Sequence, residues 1–248
     1  MRRLACLAAI VSLTLAGTAA TAQTEVPAAV AAAVADAGRP DTDKARDVHR
    51  KPAEIVAFAG VKPGDVVAEF IPGGGYFTRV LAKTVGPEGH VYALVPAASA
   101  QRPGGLDALN AIAAQYGNVT VVATDLTDFT LEKPADVVWT SENYHDMHNG
   151  PTPSFAGVNA AVFAALKPGG IYFVEDHAAA AGAAPTVTSE LHRIDPAAVI
   201  SEVTAAGFVV DAQSDLLKNP DDPHTAGVRD PSIQGETEKF AMRFRKPG

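Results

Sequence analysis

Cysteine is almost absent from this 248-residue sequence, and its one instance, Cys6, lies near the amino terminus. Cys6 sits at the beginning of an apolar stretch, whereas a lipoprotein cysteine would follow such a stretch. Beyond residue 22 the chain offers no thiolate ligand and no disulfide partner. These absences exclude a disulfide scaffold and any zinc site built on thiolates.

Aromatic and charged residues are also sparse, at 6% and 19% of the sequence, and acidic residues outnumber basic ones by 28 to 20. Binding to nucleic acid needs clustered cations that neutralise phosphates, so an acidic chain is a poor candidate for it. The 47% hydrophobic content excludes a disordered chain. We therefore expect a globular protein with a small-molecule partner and no nucleic-acid partner, while its oligomeric state stays open.

The amino terminus has the organisation of a secretory signal peptide. Arg2 and Arg3 precede an apolar stretch of roughly 13 residues, which is too short to span a bilayer. Ala20 and Ala22 then supply small residues at a cleavage site before Gln23. The sequence predicts a signal peptide over residues 1–22, export to the periplasm or beyond, and no stable membrane span after cleavage. A retained membrane anchor is the alternative.

Residues 23–50 are rich in alanine and then charged, which predicts an exposed linker followed by a short helix that begins near Asp41 or Thr42. Residues 51–248 read as one domain, opened by a helix from Pro52 to Gly60. Residues 215–236 are rich in proline, aspartate and glycine and predict a long loop.

Within this domain, apolar strands alternate with helices, which favours a doubly wound, mostly parallel sheet of the Rossmann-like α/β class. The last two strands are joined without a helix, so seven strands with an antiparallel edge strand are expected. The predicted strands are 66–71, 90–95, 119–123, 135–140, 171–174, 208–211 and 239–244, and the main helices are 76–85, 106–116, 155–166 and 195–206.

Three consecutive glycines, Gly73, Gly74 and Gly75, follow the first predicted strand and precede a helix that begins at Tyr76. Glycine lets the backbone approach a ligand closely, and the first turn of the helix offers free N–H donors. Ligands of such sheets bind beyond the carboxyl ends of the strands. The loop therefore predicts a ligand site, although a flexible turn that binds no ligand would have the same glycine pattern.

Four segments resemble class I S-adenosylmethionine-dependent methyltransferases: Lys51–Glu54, Gly60–Gly64, Glu69–Thr78 and Leu166–Gly170. A bacterial group of predicted methyltransferases with signal peptides is similar over roughly residues 45–245. The resemblance implies S-adenosylmethionine as the cofactor, with its methionine part near the glycines and its adenine near an acidic residue after the third strand. The cofactor-binding residues expected from it are Glu69, Gly73, Gly74, Gly75, Tyr76, Asp125 and Glu142.

The sequence departs from the family pattern at two places. Ile71 stands where the first motif usually has a glycine, and a β-branched residue disfavours positive φ, so a different turn is expected. The second strand ends in Ala93–Pro96 without the carboxylate that usually binds the ribose hydroxyls.

Polar residues follow the fourth and fifth strands, in Glu142–Asn149 and Glu175–His177. Because these strands are neighbours in the expected sheet, their ends should meet near the glycine loop. In one interpretation His145 or Asp146, with His148 nearby, is a general base that takes a proton from the methyl acceptor. A solvated loop is the interpretation without function.

Carboxylates and imidazoles also suit a divalent metal, for which Asp146, Asp176 and His177 are the candidates. The ion would either lower the pKa of the acceptor or support different chemistry without methyl transfer. His192 lies in a segment that either reaches this site or only caps the following helix through Asp195.

These observations predict an exported, S-adenosylmethionine-dependent methyltransferase-like protein that acts on an unidentified small acceptor. A non-catalytic or a metal-dependent protein on a diverged methyltransferase scaffold is the alternative. Export conflicts with a cofactor made in the cytoplasm. Export with the cofactor bound, a misread targeting signal or a changed function would each resolve this conflict.

Overall fold

The computed structural model describes residues 25–149 and 154–248. The predicted signal peptide, residues 1–22, lies outside this part of the chain and stays a prediction. Among the described residues, no helix combines the length and apolar character needed to cross a bilayer.

Seven strands form one sheet in the order β3-β2-β1-β4-β5-β7-β6 within the described residues. Strands β1 to β5 pair in parallel, whereas β7 runs antiparallel to both β5 and β6. The predicted fold class is thus confirmed. The strands are β1 Val66–Phe70, β2 His90–Pro96, β3 Val119–Thr124, β4 Ala135–Ser141, β5 Leu166–His177, β6 Val209–Ser214 and β7 Lys239–Arg245.

Helices cover both faces of the sheet. Alternate residues of each strand point to opposite sides, so apolar side chains on both faces need helices to pack against. In β4, Trp139 packs with the helices that precede β3, whereas Val138 packs with those that follow β4. The helices are α1 Ala28–Val34, α2 Asp41–Lys44, α3 Asp47–Arg50, α4 Pro52–Ala59, α5 Tyr76–Val85, α6 Ala97–Ala100, α7 Asp107–Tyr116, α8 Phe155–Ala165, α9 Val187–Glu190 and α10 Pro196–Ala205, with a 3₁₀ helix over His145–His148.

The segment expected to be an exposed linker is instead packed against the domain. Val30 and Ala33 of α1 are fully buried in the same core as α5. Arg39 is also buried, and its guanidinium binds both carboxylate oxygens of Asp47 at 2.9 and 2.6 Å. The prediction of an exposed linker was wrong, because alanine gives a sequence only a weak hydrophobic signal. Its small side chain nevertheless lets α1 approach α5 closely.

A carboxylate lies inside the core of β1. Glu69 is buried, and its Oε2 accepts a hydrogen bond of 2.6 Å from the Thr78 hydroxyl of α5. Burial penalises the charged form and raises the pKa of Glu69 to about 7, against the opposing effect of this hydrogen bond. Glu69 therefore links α5 to β1 through Thr78, while its burial favours the protonated form of the carboxyl group.

The predicted long loop contains no helix or strand between β6 and β7, and a buried ion pair anchors it. The guanidinium of Arg193 donates to both carboxylate oxygens of Asp222, at 2.7 and 3.1 Å, and neither side chain is exposed. Asp222 also accepts from the backbone N–H groups of His224 and Glu238. The loop is thus fixed to the segment between α9 and α10.

Removal of this carboxylate should destabilise the fold, because the Arg193 charge would stay buried without a partner. We expect Asp222→Ala to lower the free energy of unfolding by about 3–5 kcal/mol, measured by urea denaturation. The exposed neighbour Asp221 provides a matched control, and Asp221→Ala should stay within about 0.5 kcal/mol of the parent chain. Equal effects of the two substitutions would contradict the anchoring role of Asp222.

Glu69 should make stability depend on pH. Between the ordinary value of 4.5 and about 7, folded Glu69 keeps a proton that the unfolded chain releases, so the free energy of unfolding falls as pH rises. Glu69→Gln keeps an acceptor for Thr78 but cannot titrate. From pH 5 to pH 8, its stability relative to the parent should rise by up to about 3 kcal/mol. Urea denaturation of both chains across this pH range tests the prediction, and Glu88→Gln, at an exposed glutamate, is the control. If the stability difference between Glu69→Gln and the parent did not change with pH, folded Glu69 would not hold the additional proton.

Candidate functional site

A cleft of about 280 Å³ opens at the carboxyl ends of β1 and β4. We call it the β1–β4 cleft. One side is the loop after β1, and the other is the start of the segment after β4. Its lining includes Ile71, Gly73, Gly74, Glu142, Asn143 and Asp146.

The loop after β1 holds its isoleucine in a backbone conformation that glycine adopts readily. Ile71 has a φ of 47°, in the left-handed region, so the β-branched residue does not prevent positive φ here. Its N–H donates to Leu94 O at 2.8 Å, and the Asn143 side chain donates to Phe70 O at 2.9 Å. These two hydrogen bonds hold the backbone on either side of Ile71 in a conformation that a β-branched residue otherwise avoids.

The three glycines of the loop serve different purposes. Gly73 and Gly74 line the cleft, and a Cβ atom on either would meet nothing within 4 Å. Gly75, with a φ of 80°, packs against Ile112 of α7 and leaves no space for a Cβ. Gly75 is thus required by packing, while Gly73 and Gly74 keep the space beside the cleft free.

Two arginines form a wall of the cleft that the sequence analysis missed. The guanidinium of Arg50 lies 4.5 Å from the ring centre of Tyr76 and 4.7 Å from that of Phe77. Arg46 lies 5.1 Å from the Tyr76 ring, and about half of its side chain is exposed. Their spacing of four residues, which puts both on one face of a helix, is the signal that could have revealed this wall.

Tyr76, an expected cofactor-binding residue, is thus enclosed. Its ring lies beneath the two arginines, and its hydroxyl donates to Asp47 at 2.6 Å. Burial and the adjacent Asp47 carboxylate raise the pKa of Tyr76 far above its ordinary value. Tyr76 therefore supports the arginine wall and keeps a neutral hydroxyl.

Glu142 is the centre of a charge network beside the cleft. Its carboxylate lies 2.9 Å from Arg50 Nη2 and 2.9 Å from Lys239 Nζ of β7. Burial alone would raise the pKa of Glu142, but these cations outweigh it and hold the pKa well below its ordinary value. Buried Glu175 lies 3.5 Å from the same lysine, and burial raises its pKa. Glu142 is thus ionised and committed to protein partners.

His145 is held by a buried carboxylate. Both its backbone N–H and its ring Nδ1 lie 2.8 Å from oxygens of Asp176. Burial favours the neutral ring, but the Asp176 carboxylate outweighs it, so the pKa of His145 lies above its ordinary value. The other ring nitrogen, Nε2, lies 3.4 Å from the half-exposed carboxylate of Asp146, which lines the cleft.

His192 joins this group from the segment after α9. Its ring centre lies 5.4 Å from that of His145, and one ligand atom from each of His145, Asp146 and His192 lies within 4.8 Å of the others. Both sequence-based alternatives for this segment therefore hold, since Asp195 also caps α10 by accepting from Ala197 N at 2.8 Å.

The other candidate histidines have partners of their own, although the ring centre of His177 lies 6.4 Å from that of His145. His148 Nε2 lies 3.0 Å from Glu202 of α10, and its ring stacks on Phe155, because the 3₁₀ helix turns it toward that side. His177 Nδ1 lies 2.8 Å from the Thr237 hydroxyl, and burial lowers the pKa of His177 to about 4. His148 Nε2 and His177 Nδ1 are thus engaged by other side chains, and the catalytic role of His148 and the metal-binding role of His177 stay predictions.

Asp176 and Asp125 both accept hydrogen bonds from nearby protein groups. Both carboxylate oxygens of fully buried Asp176 are engaged by His145, so Asp176 orients this histidine and is not placed to meet an ion directly. Asp125 is exposed and outside the lining of the cleft, and its carboxylate accepts from the N–H and hydroxyl of Thr127. The assignment of Asp125 to the adenine stays a prediction.

Comparison with known proteins gives one curated relative of partial length, and no family model matches the chain. A protein-L-isoaspartate O-methyltransferase from Ignicoccus hospitalis is 40% identical over 75 residues. These residues are 29% of this chain and 33% of that protein, so the similarity spans a third of the relative.

Solved structures share the fold over most of the chain. An S-adenosylmethionine-dependent methyltransferase from Aquifex aeolicus is similar with a TM-score of 0.59 at 16% identity, over 84% of this chain and 98% of that one. A glycopeptide N-methyltransferase, MtfA, in complex with S-adenosylmethionine has a TM-score of 0.54 at 17% identity, over 82% of this chain and 87% of that one. The chain therefore has the fold of class I S-adenosylmethionine-dependent methyltransferases.

Proposed function

We propose that this chain binds S-adenosylmethionine in the β1–β4 cleft and transfers its methyl group to a small acceptor. The observation that carries the proposal is the space kept free at Gly73 and Gly74, directly after β1 of a methyltransferase fold. In open α/β sheets this position, where the chain leaves the first strand, is where ligands bind. The S-adenosylmethionine in the MtfA complex and the partial similarity to a methyltransferase support the choice of ligand.

The charges around the cleft suit an amino-acid end group. Arg46 is exposed beside the cleft and lies 3.9 Å from Glu142, in a looser pair than the 2.9 Å pair that Arg50 makes. A ligand carboxylate could replace that loose contact with a charge-assisted hydrogen bond. Asp43 also lines the cleft and pairs with Arg79 at 2.9 Å, so its carboxylate would bind the ligand ammonium group alongside that arginine.

Methyl transfer needs little from the protein beyond alignment, because the sulfonium donor is already activated. The acceptor lone pair forms a bond to the methyl carbon, the sulfur–carbon bond breaks with its electron pair on sulfur, and an acceptor proton passes to water. Asp146 is the polar side chain that reaches the cleft from the histidine side. The acceptor would lie there, in line with the donor.

A non-catalytic binding protein is the second candidate. Asp125 is turned into its own loop, and β2 ends at Val95 and Pro96 without a carboxylate. Loss of a charged acceptor for the ribose hydroxyls costs roughly 1.5–3 kcal/mol of binding. This observation favours a chain that binds the cofactor weakly or binds a different small molecule.

Calorimetric titration of S-adenosylmethionine and S-adenosylhomocysteine into the full chain tests the proposal, with Gly74→Ala as the informative variant. The new methyl group meets no protein atom, so folding should be unaffected, yet it projects beside the cleft. We expect micromolar binding, about −8 kcal/mol, and a loss of at least tenfold in Gly74→Ala.

The matched control is Gly227→Ala, at a glycine outside the cleft whose added Cβ would make only ordinary contacts near 3.9 Å. It should bind like the parent chain. No binding of either ligand to the parent, or equal binding by Gly74→Ala, would overturn the proposed cleft.

Arg46 should contribute to affinity through charge. We expect Arg46→Gln to weaken S-adenosylmethionine binding by about five- to tenfold at low salt, and less in high salt because exposed charges are screened. The control is Arg102→Gln, at an exposed arginine beyond α6 that does not line the cleft. Unchanged affinity in the Arg46 variant would mean that the ligand carboxylate lies elsewhere.

A further inference from the structure

Two imidazoles and a carboxylate converge where the segments after β4 and after α9 meet. His145 is buried, His192 is half-buried and Asp146 is half-exposed. One ligand atom from each lies within 4.8 Å of the others. We propose that His145, Asp146 and His192 bind one divalent first-row transition-metal ion, with zinc as the test ion.

The orientation of His145 is the first support. Asp176 occupies ring Nδ1 at 2.8 Å and also binds the backbone N–H of the same residue. The ring therefore presents Nε2 toward Asp146. A buried carboxylate behind a histidine is the arrangement that fixes the tautomer and direction of metal-binding imidazoles.

The spacing is the second support. His145 Nε2 and Asp146 Oδ1 are 3.4 Å apart. Two ligands that are each about 2.1 Å from a tetrahedral zinc ion lie about 3.4 Å from one another. His145 and Asp146 therefore already have the separation that two ligands of one zinc ion require. Rotation of the less buried His192 side chain would bring in the third ligand.

The ligand types select the ion. Imidazole nitrogen with one carboxylate suits zinc and its first-row neighbours, whereas magnesium and calcium prefer sets of oxygen ligands. Three protein ligands leave a coordination position for water or for an oxygen of a bound molecule. The set also differs from the one that the sequence suggested, because Asp176 orients a ligand and His177 turns toward Thr237.

The site borders the β1–β4 cleft through Asp146. An ion there could bind an acceptor oxygen and lower its pKa, so that the oxygen reacts as the better nucleophile. This role rests on the proposed methyl transfer. Ion binding itself does not, and it can be measured without any cofactor.

The experiment is titration of zinc into the full chain after removal of bound metal with a chelator, followed by calorimetry. We expect one zinc ion per chain with a dissociation constant in the micromolar range or tighter, and no comparable binding of magnesium. Asp146→Asn and His192→Asn should each weaken zinc binding at least tenfold. Asparagine is chosen at position 192 because the residue has a φ of 54°, which asparagine tolerates.

His49→Asn is the matched control, since His49 is an exposed histidine outside the cluster, and it should bind zinc like the parent. Circular dichroism of each variant verifies folding. Absence of stoichiometric zinc binding, or equal affinity in the parent and both cluster variants, would overturn the metal site. Calorimetry with S-adenosylmethionine on the zinc-free chain separates the outcomes: retained cofactor binding with no zinc binding would remove the metal site alone.

Discussion

The arrangement of the cleft depends on the ionised carboxylate of Glu142. This residue follows β4, and its two partners come from opposite ends of the chain: Arg50 from the first helices and Lys239 from the last strand. With one of its partners removed, a partly buried charge would lose much of its compensation, which is far more costly than the loss of a surface ion pair. One side chain thus links the amino-terminal helices, the centre of the sheet and β7.

The sequence was sufficient for the fold because the fold rests on local patterns. Short apolar runs separated by helical periods predicted all seven strands, and the glycines after β1 predicted the start of α5 at Tyr76. Glycine and proline mark where helices and strands end, however, and do not indicate which segments pack against one another. Helix α1 is mostly alanine, whose small side chain carries a weak hydrophobic signal, and it buries only Val30 and Ala33, so the segment before residue 50 was mistaken for a linker.

The candidate site was predictable only in part, since its members meet through contacts between distant segments. The polar residues after β4 and β5 were correctly expected near one another, because parallel strands end at the same edge. Sequence alone could not decide which nitrogen of His145 would be engaged, or that His148 would turn toward Glu202. Those outcomes depend on the path of the 3₁₀ helix and on α10, neither of which has a signature in the motif itself.

Strained backbone also concentrates here. Of the five non-glycine residues with positive φ in the part of the chain that the structure describes, three, Ile71, Glu142 and His192, belong to the cleft or to the histidine cluster, and Lys51 and His224 do not. Such conformations cost of order 1–3 kcal/mol each and persist where the surroundings enforce them. Their grouping marks a region where the chain gives up stability for a defined geometry.

The position of β7 has a consequence for biosynthesis. The strand β7 lies between β5 and β6, so in the described sheet β6 has no strand beside it until β7 has been synthesised. Lys239 arrives with that same strand and brings a positive charge beside Glu142 and Glu175. A nascent chain therefore completes the sheet and the charge network beside its cleft with the same strand, and neither can be complete before β7 has left the ribosome.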